Sequence, residues 1–541
     1  MHTKSLCILL SVAAAWISCA IPEKDKGPNI LLIVADDLGY GDLGCYGGNI
    51  RTPSIDALAG SGLLFTQFHT APTCAPTRAM LLSGNNNHVA GMGLQGGAPK
   101  GSWEEGKPGY EGHLSDRIVP MPQLLRDAGY HTYTVGKWHL GKKPEHAPAA
   151  KGFERSFNLL QGAGNHYNAV GIVGSDSVST YSADGSLAEY PEGAYSTEFY
   201  TNKLMEFIRS GEKDKPFFAY AAYTSPHWPL QAPKEFDQYQ GAFDMGYDSL
   251  RALRFQTLMS AGIISSSAQL PPRLESIKPW NDLSPDEKRM ESRKMELYAA
   301  MVANLDFHVG RLIQFLKDEG LYENTLIIFM SDNGAAAEDF YITPPYSTFI
   351  APRHDNSLAN MGSVSSFVSY GPPWAKAGAA PFARYKAYPT EGGIVAPMII
   401  SGIGVPAGKS PRHEFITVMD IAPTLLELTG VSYPGRHSSA LIRPMLGESM
   451  YNYLFNKRES VHDTTYAVGL ELRGRAFFRK GKWKIVNLEG PHRDDTFQLF
   501  DMESDPGETN DLSKVKTAKF REMLDAWRKY RDEHGILLSP E

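Results

Sequence analysis

The stretch Asn29-Ile30-Leu31-Leu32-Ile33-Val34-Ala35-Asp36-Asp37 decides the fold. An apolar, β-rich run ends abruptly on two carboxylates. Continuous apolar runs of this length read as strands buried on both faces, as in a sheet covered by helices. The same pattern recurs along the chain. Tyr130–Val135 runs into Gly136-Lys137-Trp138-His139, and Pro216–Tyr223 runs into Ser225-Pro226-His227. Thr325–Met330 runs into Ser331-Asp332-Asn333-Gly334. Amphipathic helices are predicted between them. One covers Ser292–Glu319, with Leu297, Met301, Leu305, Leu312 and Phe315 near helical spacing, and stops at Gly320. Another covers Val418–Thr429 and stops at Gly430. The expected fold class is α/β, a large and mostly parallel sheet sandwiched by helices. Ligands of such sheets bind beyond the carboxyl ends of the strands. All four polar clusters fall there, which argues for one composite site.

The character changes after about Pro434. Ala476–Leu488 alternates like antiparallel strands around a Lys480-Gly481 turn. Thr496–Met502 reads as a further strand and Lys514–His534 as a closing amphipathic helix. We therefore expect a catalytic domain over 27–434 and a small α+β subdomain with an antiparallel sheet over 435–541. The length of 541 residues agrees, since it exceeds the size at which one compact core keeps growing. Hydrophobic residues make up 42% and charged residues 21%, ordinary for a globular enzyme. The formal net charge is −7 and no Lys/Arg-rich run appears, which argues against nucleic acid as a partner.

Lys4 followed by the apolar stretch Ser5–Ile17 reads as a signal peptide over 1–20, too short to span a bilayer. Two processing readings stay open. Ser18 and Ala20 fit cleavage after Ala20. Ile17-Ser18-Cys19 resembles a lipobox with Cys19 acylated, although Trp16 is a poor match to it. Either places the protein outside the cytoplasm, in the periplasm or as an outer-membrane or cell-surface lipoprotein held by a lipid anchor. Cys7 goes with the leader, and so does Cys19 if cleavage follows Ala20, whereas the lipobox reading cleaves before Cys19 and leaves it acylated; Cys45 and Cys74 are the cysteines of the mature fold, too few for a disulfide framework. A single Cys45–Cys74 bridge is the bland alternative, disfavoured because the setting of Cys74 gives it another job.

Asp36, Asp37, Asp332 and Asn333 offer hard oxygen ligands, suited to Ca²⁺ or Mg²⁺, and several carboxylates lean toward Ca²⁺. Adjacent strand residues point to opposite faces. Asp36 and Asp37 therefore converge only if the chain curls, for which Leu38-Gly39-Tyr40-Gly41 supplies flexibility. Cys74-Ala75-Pro76-Thr77-Arg78 reads as the start of a short helix that Gly84 ends. A helix N-terminus favours a nearby anion. It is not a thiol-phosphatase loop, because Met80 stands where the arginine would be. A soft thiolate is also a poor companion for a carboxylate-built Ca²⁺ site. Oxidation of the cysteine to an aldehyde, whose hydrate presents two hydroxyls, removes that conflict.

Cys74-x-Pro76-x-Arg78 with Leu81-Leu82-Ser83-Gly84 resembles the first signature of the type I sulfatases, in which the cysteine becomes formylglycine. Gly129-Tyr130-His131-Thr132 through Gly136-Lys137-Trp138-His139 is similar to the second signature. The resemblance extends through Asp36-Asp37, Asp332-Asn333-Gly334, Glu391-Gly392-Gly393-Ile394, Asp420-Ile421-Ala422-Pro423-Thr424, Leu499-Phe500-Asp501 and Asp505-Pro506-x-Glu508. Tyr370–Trp374 and Pro381–Lys386 look like the bacterial alkyl/aryl sulfatase branch. One departure is Val395, where the family usually carries Arg.

The resemblance implies an alkaline-phosphatase-like fold and Ca²⁺ held by Asp36, Asp37, Asp332, Asn333 and an oxygen of modified Cys74. It implies that one hydroxyl of the hydrated aldehyde attacks sulfur and the other later expels sulfate. Lys137 and Lys386 would clamp the sulfate. Arg78 and His139 would orient the nucleophile, and His227 would protonate the leaving oxygen, with Lys386 as helper. A maturation enzyme must oxidise Cys74. The expected substrate is a sulfated small molecule or glycan. His166, in the loop segment Asn165-His166-Tyr167, and Arg353 and His354, in the loop Asp339–Met361, are candidate rim residues. Two alternatives remain: a formylglycine phosphonate or phosphodiester hydrolase, and an inactive scaffold that binds glycans.

Overall fold

A computed structural model describes residues 27–172, 178–408, 410–437, 440–490 and 493–538. The leader peptide, with Cys7, Cys19 and both processing readings, lies outside the described residues. No helix among the described residues is long and apolar enough to cross a membrane.

One sheet carries strands β1 (Asn29–Ala35), β2 (Leu63–His69), β3 (His131–Lys137), β4 (Arg155–Leu159), β5 (Tyr181–Ala183), β6 (Ser186–Ala188), β7 (Phe217–Ala222), β8 (Thr325–Ser331), β9 (Met398–Gly402) and β10 (Arg412–Thr417). Their order is β10-β2-β9-β8-β1-β7-β3-β4-β5-β6. Pairing is parallel except at β9 and along β4-β5-β6. The four predicted strands are β1, β3, β7 and β8, and they lie side by side at the centre. Every residue in all four is buried, as the continuous apolar runs of β1, β7 and β8 require.

Helices Pro53–Ser61, Ser196–Ser210 and Pro285–Asp318 pack together as one covering layer, and Cys74–Ser83, Met121–Asp127 and Ile421–Thr429 form another. The long helix starts seven residues before the predicted Ser292. Ser284 accepts from Glu287 N–H and Glu287 reaches back to Ser284 N–H, a capping box with Pro285 in the first turn. That Ser-x-x-Glu signal was present in the sequence.

The C-terminal segment forms an antiparallel sheet of Ala467–Leu472, Arg475–Lys480, Trp483–Asn487 and Gln498–Asp501, in that order. Helix Thr517–Glu533 packs on it through Met523, Leu524, Trp527 and Tyr530. This sheet is tied to the large domain by a buried ionic bridge. Lys484 Nζ donates to Glu391 Oε1 at 2.6 Å and to Glu508 Oε1 at 2.8 Å, and His69 Nε2 meets Glu391 Oε2 at 2.9 Å. Val395 is buried and bridges to His69.

Candidate active site

Register places the site. Ala35 pairs with Ser331, and Ala222 pairs with both Val34 and Gly136, so the four central strands end almost level. Asp36-Asp37, Lys137, His227 and Asp332-Asn333 therefore gather beyond one edge of the sheet. The curl that turns Asp36 and Asp37 inward is at Asp37 itself, which adopts φ 66°. Aspartate tolerates that left-handed conformation better than most residues. Asp37 N–H donates to Asp332 Oδ1 at 3.2 Å, and Leu38 N–H donates to Ser331 Oγ at 3.0 Å. Gly39, expected to supply flexibility, serves close approach instead. A Cβ on Gly39 would lie 2.9 Å from the Gly378 carbonyl oxygen. Gly39 N–H is held by Asp42 Oδ2 at 2.9 Å, and Tyr298 Oη and Arg254 grip the same carboxylate at 2.6 and 2.7 Å.

Cys74 opens helix Cys74–Ser83, which ends at Gly84 in a left-handed cap, φ 64°. Its Sγ lies 3.4 Å from Asp36 Oδ1 and 3.8 Å from Asp37 Oδ1. Burial, with Asp332 and Asp36 nearby, pushes the Cys74 thiol well above the usual cysteine range, against the pull of Lys137 and Lys386. Cys74 and Cys45 are both free thiols. Arg78, one helical turn on, is fully buried. It donates to Asp332 Oδ2 from Nε (3.1 Å) and Nη2 (2.7 Å), and to Lys137 O at 3.1 Å. Tyr220 Oη, 3.4 Å from Nη1, completes its surroundings.

Lys137 Nζ donates to both oxygens of Asp36, at 2.9 and 2.7 Å. Lys386 Nζ donates to Asp37 Oδ2 at 2.8 Å, while its own backbone N–H is fixed by Ala335 O at 3.1 Å. Burial alone would raise the Asp37 carboxyl; Lys386, with His227 and Lys137, reverses this and holds it below the ordinary carboxylate range. Burial and Asp36 raise Asp332, to about 6, although Arg78 opposes them.

His227 Nδ1 lies 2.6 Å from Trp228 O, and Nε2 faces Asp37 Oδ2 at 3.3 Å. An oxygen thus flanks each ring nitrogen, a setting that suits a proton on both. Burial nevertheless holds His227 well below the usual imidazole range, with Lys386 and Lys137 adding to it, although Asp37 pulls the group up. His139 adopts φ 59°, which swings its ring back toward the cluster against Gly162. Its Nδ1 has no partner among the described residues. Burial and the charges of Lys137, Arg78 and Lys386 hold it neutral, well below the usual imidazole range.

The donor set fits a hard divalent cation. Ligand atoms of Asp36, Asp37, Cys74 and His227 lie within 4.8 Å of one another. Asn333 Nδ2 sits 2.6 Å from Asp37 Oδ1, and its buried Oδ1 has no partner among the described residues. Rotation of that amide would present an oxygen to a cation shared with Asp37. Asp332 lies outside that group of four, and Arg78 and Asp37 N–H occupy both its oxygens. Carboxylates and an amide oxygen select calcium or magnesium over softer metals.

Of the three predicted rim residues, His166 and His354 both connect to the His227-Trp228 segment, His354 by way of Phe367. His166 is not a rim residue. It is buried, with Nδ1 on Ser196 Oγ at 2.7 Å and Nε2 on His227 O at 3.1 Å, so it braces the backbone of His227. Arg353 is exposed at the end of a short 3₁₀ turn. His354 bonds to Ile350 O at 2.9 Å and packs on Phe367, which in turn packs on Trp228. Tyr220 and Glu338 are neighbours that sequence reasoning missed. Tyr220 is one aromatic in an all-apolar strand and Glu338 one acid in a loop, and neither carries a local signal.

The Sulfatase family profile matches residues 28–431. An uncharacterized sulfatase of Schizosaccharomyces pombe is 39% identical over 534 residues, covering 96% of each chain. The arylsulfatase of Klebsiella aerogenes is 38% identical over 461 residues, 83% of this chain and 96% of that one. Among solved structures, Ps i-CgsB matches with a TM-score of 0.65 at 26% identity over 93% of both chains.

Proposed function

The chain belongs to the sulfatase family and hydrolyses sulfate esters, and from that premise we propose a formylglycine-dependent, calcium-assisted reaction centred on Cys74. The observation that carries it is the setting of Cys74. Its thiol is buried, held protonated, and faces two carboxylates at the mouth of a helix. A neutral thiol there is a poor nucleophile and a poor neighbour for a hard cation. When formed, the hydrated aldehyde would supply one hydroxyl to attack sulfur and a second to expel sulfate. Ca²⁺, held by Asp36, Asp37, Asp332 and Asn333, would withdraw charge from the sulfate oxygens.

The remaining steps belong to the side chains. Lys137 and Lys386, fixed by Asp36 and Asp37, offer their other ammonium protons to the sulfate oxygens. Arg78 locks Asp332 and the end of β3 in one piece, holding the nucleophile's helix against the sheet. His139, neutral and one-sidedly unpartnered, can accept a proton from the nucleophile. His227 keeps Nδ1–H on Trp228 O, which leaves Nε2 to pass a proton to the leaving oxygen. An incoming sulfate adds negative charge beside the ring and favours its protonated form.

We also assign an exported location, maturation by a formylglycine-generating enzyme, and either an aryl sulfate or a terminal sulfated sugar as substrate. Peptide mass spectrometry of active protein should find an aldehyde or its hydrate at position 74. Full activity with an unmodified Cys74 thiol would overturn the mechanism. A panel of nitrophenyl sulfate, sulfated sugars and a phosphonate ester would rank the substrates. Faster phosphonate cleavage would favour the phosphonate-hydrolase reading. Binding without turnover by matured protein would favour the inactive glycan-binding scaffold.

A further inference from the structure

Among the described residues, the charged side chains at the centre of the site are closed off from solvent, and Glu338 at its edge is not. Side chains of Asp36, Asp37, Arg78, Lys137, His227, Asp332 and Lys386 are at most 5% exposed. Glu338 is paired to the same cluster, with Oε1 3.5 Å from Lys386 Nζ, yet its side chain is 26% exposed. It therefore stands on the solvent side of Lys386. Glu338 Oε2 is itself buried and has no hydrogen-bond partner among the described residues.

Its position is fixed from both directions. Three residues earlier, Ala335 O accepts the backbone N–H of Lys386 at 3.1 Å. Two residues later, the Phe340 ring packs on Trp228 with centroids 5.0 Å apart, and Trp228 packs on His227 at 4.3 Å. The Glu338 carboxylate is thus paired with the lysine assigned to the sulfate, on a loop whose Phe340 packs on Trp228 beside the histidine assigned to the leaving oxygen. Beneath it Arg78, Lys137 and Lys386 stand against Asp36, Asp37 and Asp332, and the proposed Ca²⁺ would add positive charge that draws either anion in. Glu338 adds a further negative charge on the side from which an anion must approach.

Sulfate and phosphate monoesters are both tetrahedral and of nearly equal size, so shape hardly separates them. Charge does. A sulfate monoester is singly charged, whereas a phosphate monoester carries about −1.5 to −2 at pH 7. We propose that Glu338 is a specificity-determining residue that restricts the site to singly charged sulfate esters by repelling doubly charged phosphate esters. Selectivity by a deliberately unfavourable contact is a general device for discriminating similar ligands. The inference rests on the sulfatase reading above and on Lys386 touching the substrate anion.

The test compares nitrophenyl sulfate with nitrophenyl phosphate, which share one leaving group, at pH 8 in wild type, Glu338→Gln and Glu338→Ala. The ratio of the two kcat/KM values should move toward phosphate by about tenfold or more in both variants, the scale set by one unit charge a few ångströms away in a partly screened site. General damage to the fold lowers both values and leaves their ratio in place. Calorimetric titration with inorganic sulfate and phosphate reads the same preference without turnover; the variants should gain affinity for phosphate relative to sulfate. An unchanged ratio, an equal fall on both esters, or a shift toward sulfate would overturn the inference and leave Glu338 as a tether for Lys386. A wild type unable to cleave nitrophenyl sulfate would instead count against the sulfatase mechanism, and the anion titration would still decide the role of Glu338.

Discussion

Replacing Lys484 by methionine measures what the small antiparallel sheet contributes to the site. The Lys484 side chain is 0% exposed and bridges Glu391 Oε1 and Glu508 Oε1 at 2.6 and 2.8 Å. Glu391 opens the turn Glu391–Ile394. Gly393 O in that turn accepts from Gly334 N–H at 3.1 Å, and Ile394 O accepts from Thr70 N–H at 2.7 Å. The bridge therefore supports both the Asn333-Gly334 turn and the approach to Cys74. Methionine keeps the volume and removes the charge, leaving two buried carboxylates without their shared partner. Breaking a buried pair from one side costs about 3–5 kcal/mol. Two features place the expectation near the lower end, about 3 kcal/mol. Glu391 keeps His69 at 2.9 Å and Arg479 at 3.9 Å. Glu508, raised to about 7 by burial and by Glu391 against the pull of Lys484, can relieve the strain by taking up a proton. A carboxyl with a raised folded pKa stabilises the fold below its unfolded value, and that contribution is lost as pH rises through the folded value. With Lys484 gone the loss deepens, so the deficit should be larger at pH 8 than at pH 6. Urea unfolding followed by tryptophan fluorescence gives both values. Adding Glu508→Gln to the Lys484→Met variant should recover part of the loss, since it removes one buried charge. A deficit under about 1 kcal/mol at pH 8, or one larger at pH 6, would refute the reasoning.

Three further outcomes are expected. His227→Ala should cost about 10²–10⁴-fold in kcat on a sugar or alkyl sulfate and clearly less on nitrophenyl sulfate, because only the poor leaving group needs the proton. Lys137→Ala should hurt both alike, and equal losses for His227→Ala would pass the acid role to Lys386. Prolonged chelation should abolish turnover and Ca²⁺ restore it, whereas Asp332→Ala should stay inactive with Ca²⁺ added; full activity in protein verified as metal-free would reject the metal assignment. His462 contributes to stability in a pH-dependent way. Burial lowers it, but Asp420 at 3.0 Å and Glu448 at 3.3 Å outweigh burial and raise it above the usual imidazole range. That stability should be complete below about pH 6.5 and fade as pH rises through the raised value. The melting temperature of His462→Gln should lack this decline, and an unchanged profile would dismiss the pair.

The sequence by itself determined which segments become central strands and what chemistry waits at their ends. NILLIVA and TLIIFM are apolar on both faces, so burial on both faces was their one stable outcome, and the polar residues that follow had to emerge at the sheet's edge. Cys74, Arg78 and Gly84 likewise announced a short helix through local spacing. The strand Ala467–Leu472 and the first turns of helix Pro285–Asp318 were missed, the latter despite a readable capping box. Only the tertiary structure decided the rest. The sequence placed His166 on a rim, but the fold buries it behind His227. It showed no reason for Lys484 to meet Glu391, 93 positions away. Nor did it set Glu338 beside Lys386, or turn the chain at Asp37 rather than at the glycines beyond it. The division has a physical cause. Periodicity and capping are properties of a few neighbouring residues and survive in a linear reading, whereas ion pairs and braces depend on strand register and loop course, which are fixed only when distant segments share one core.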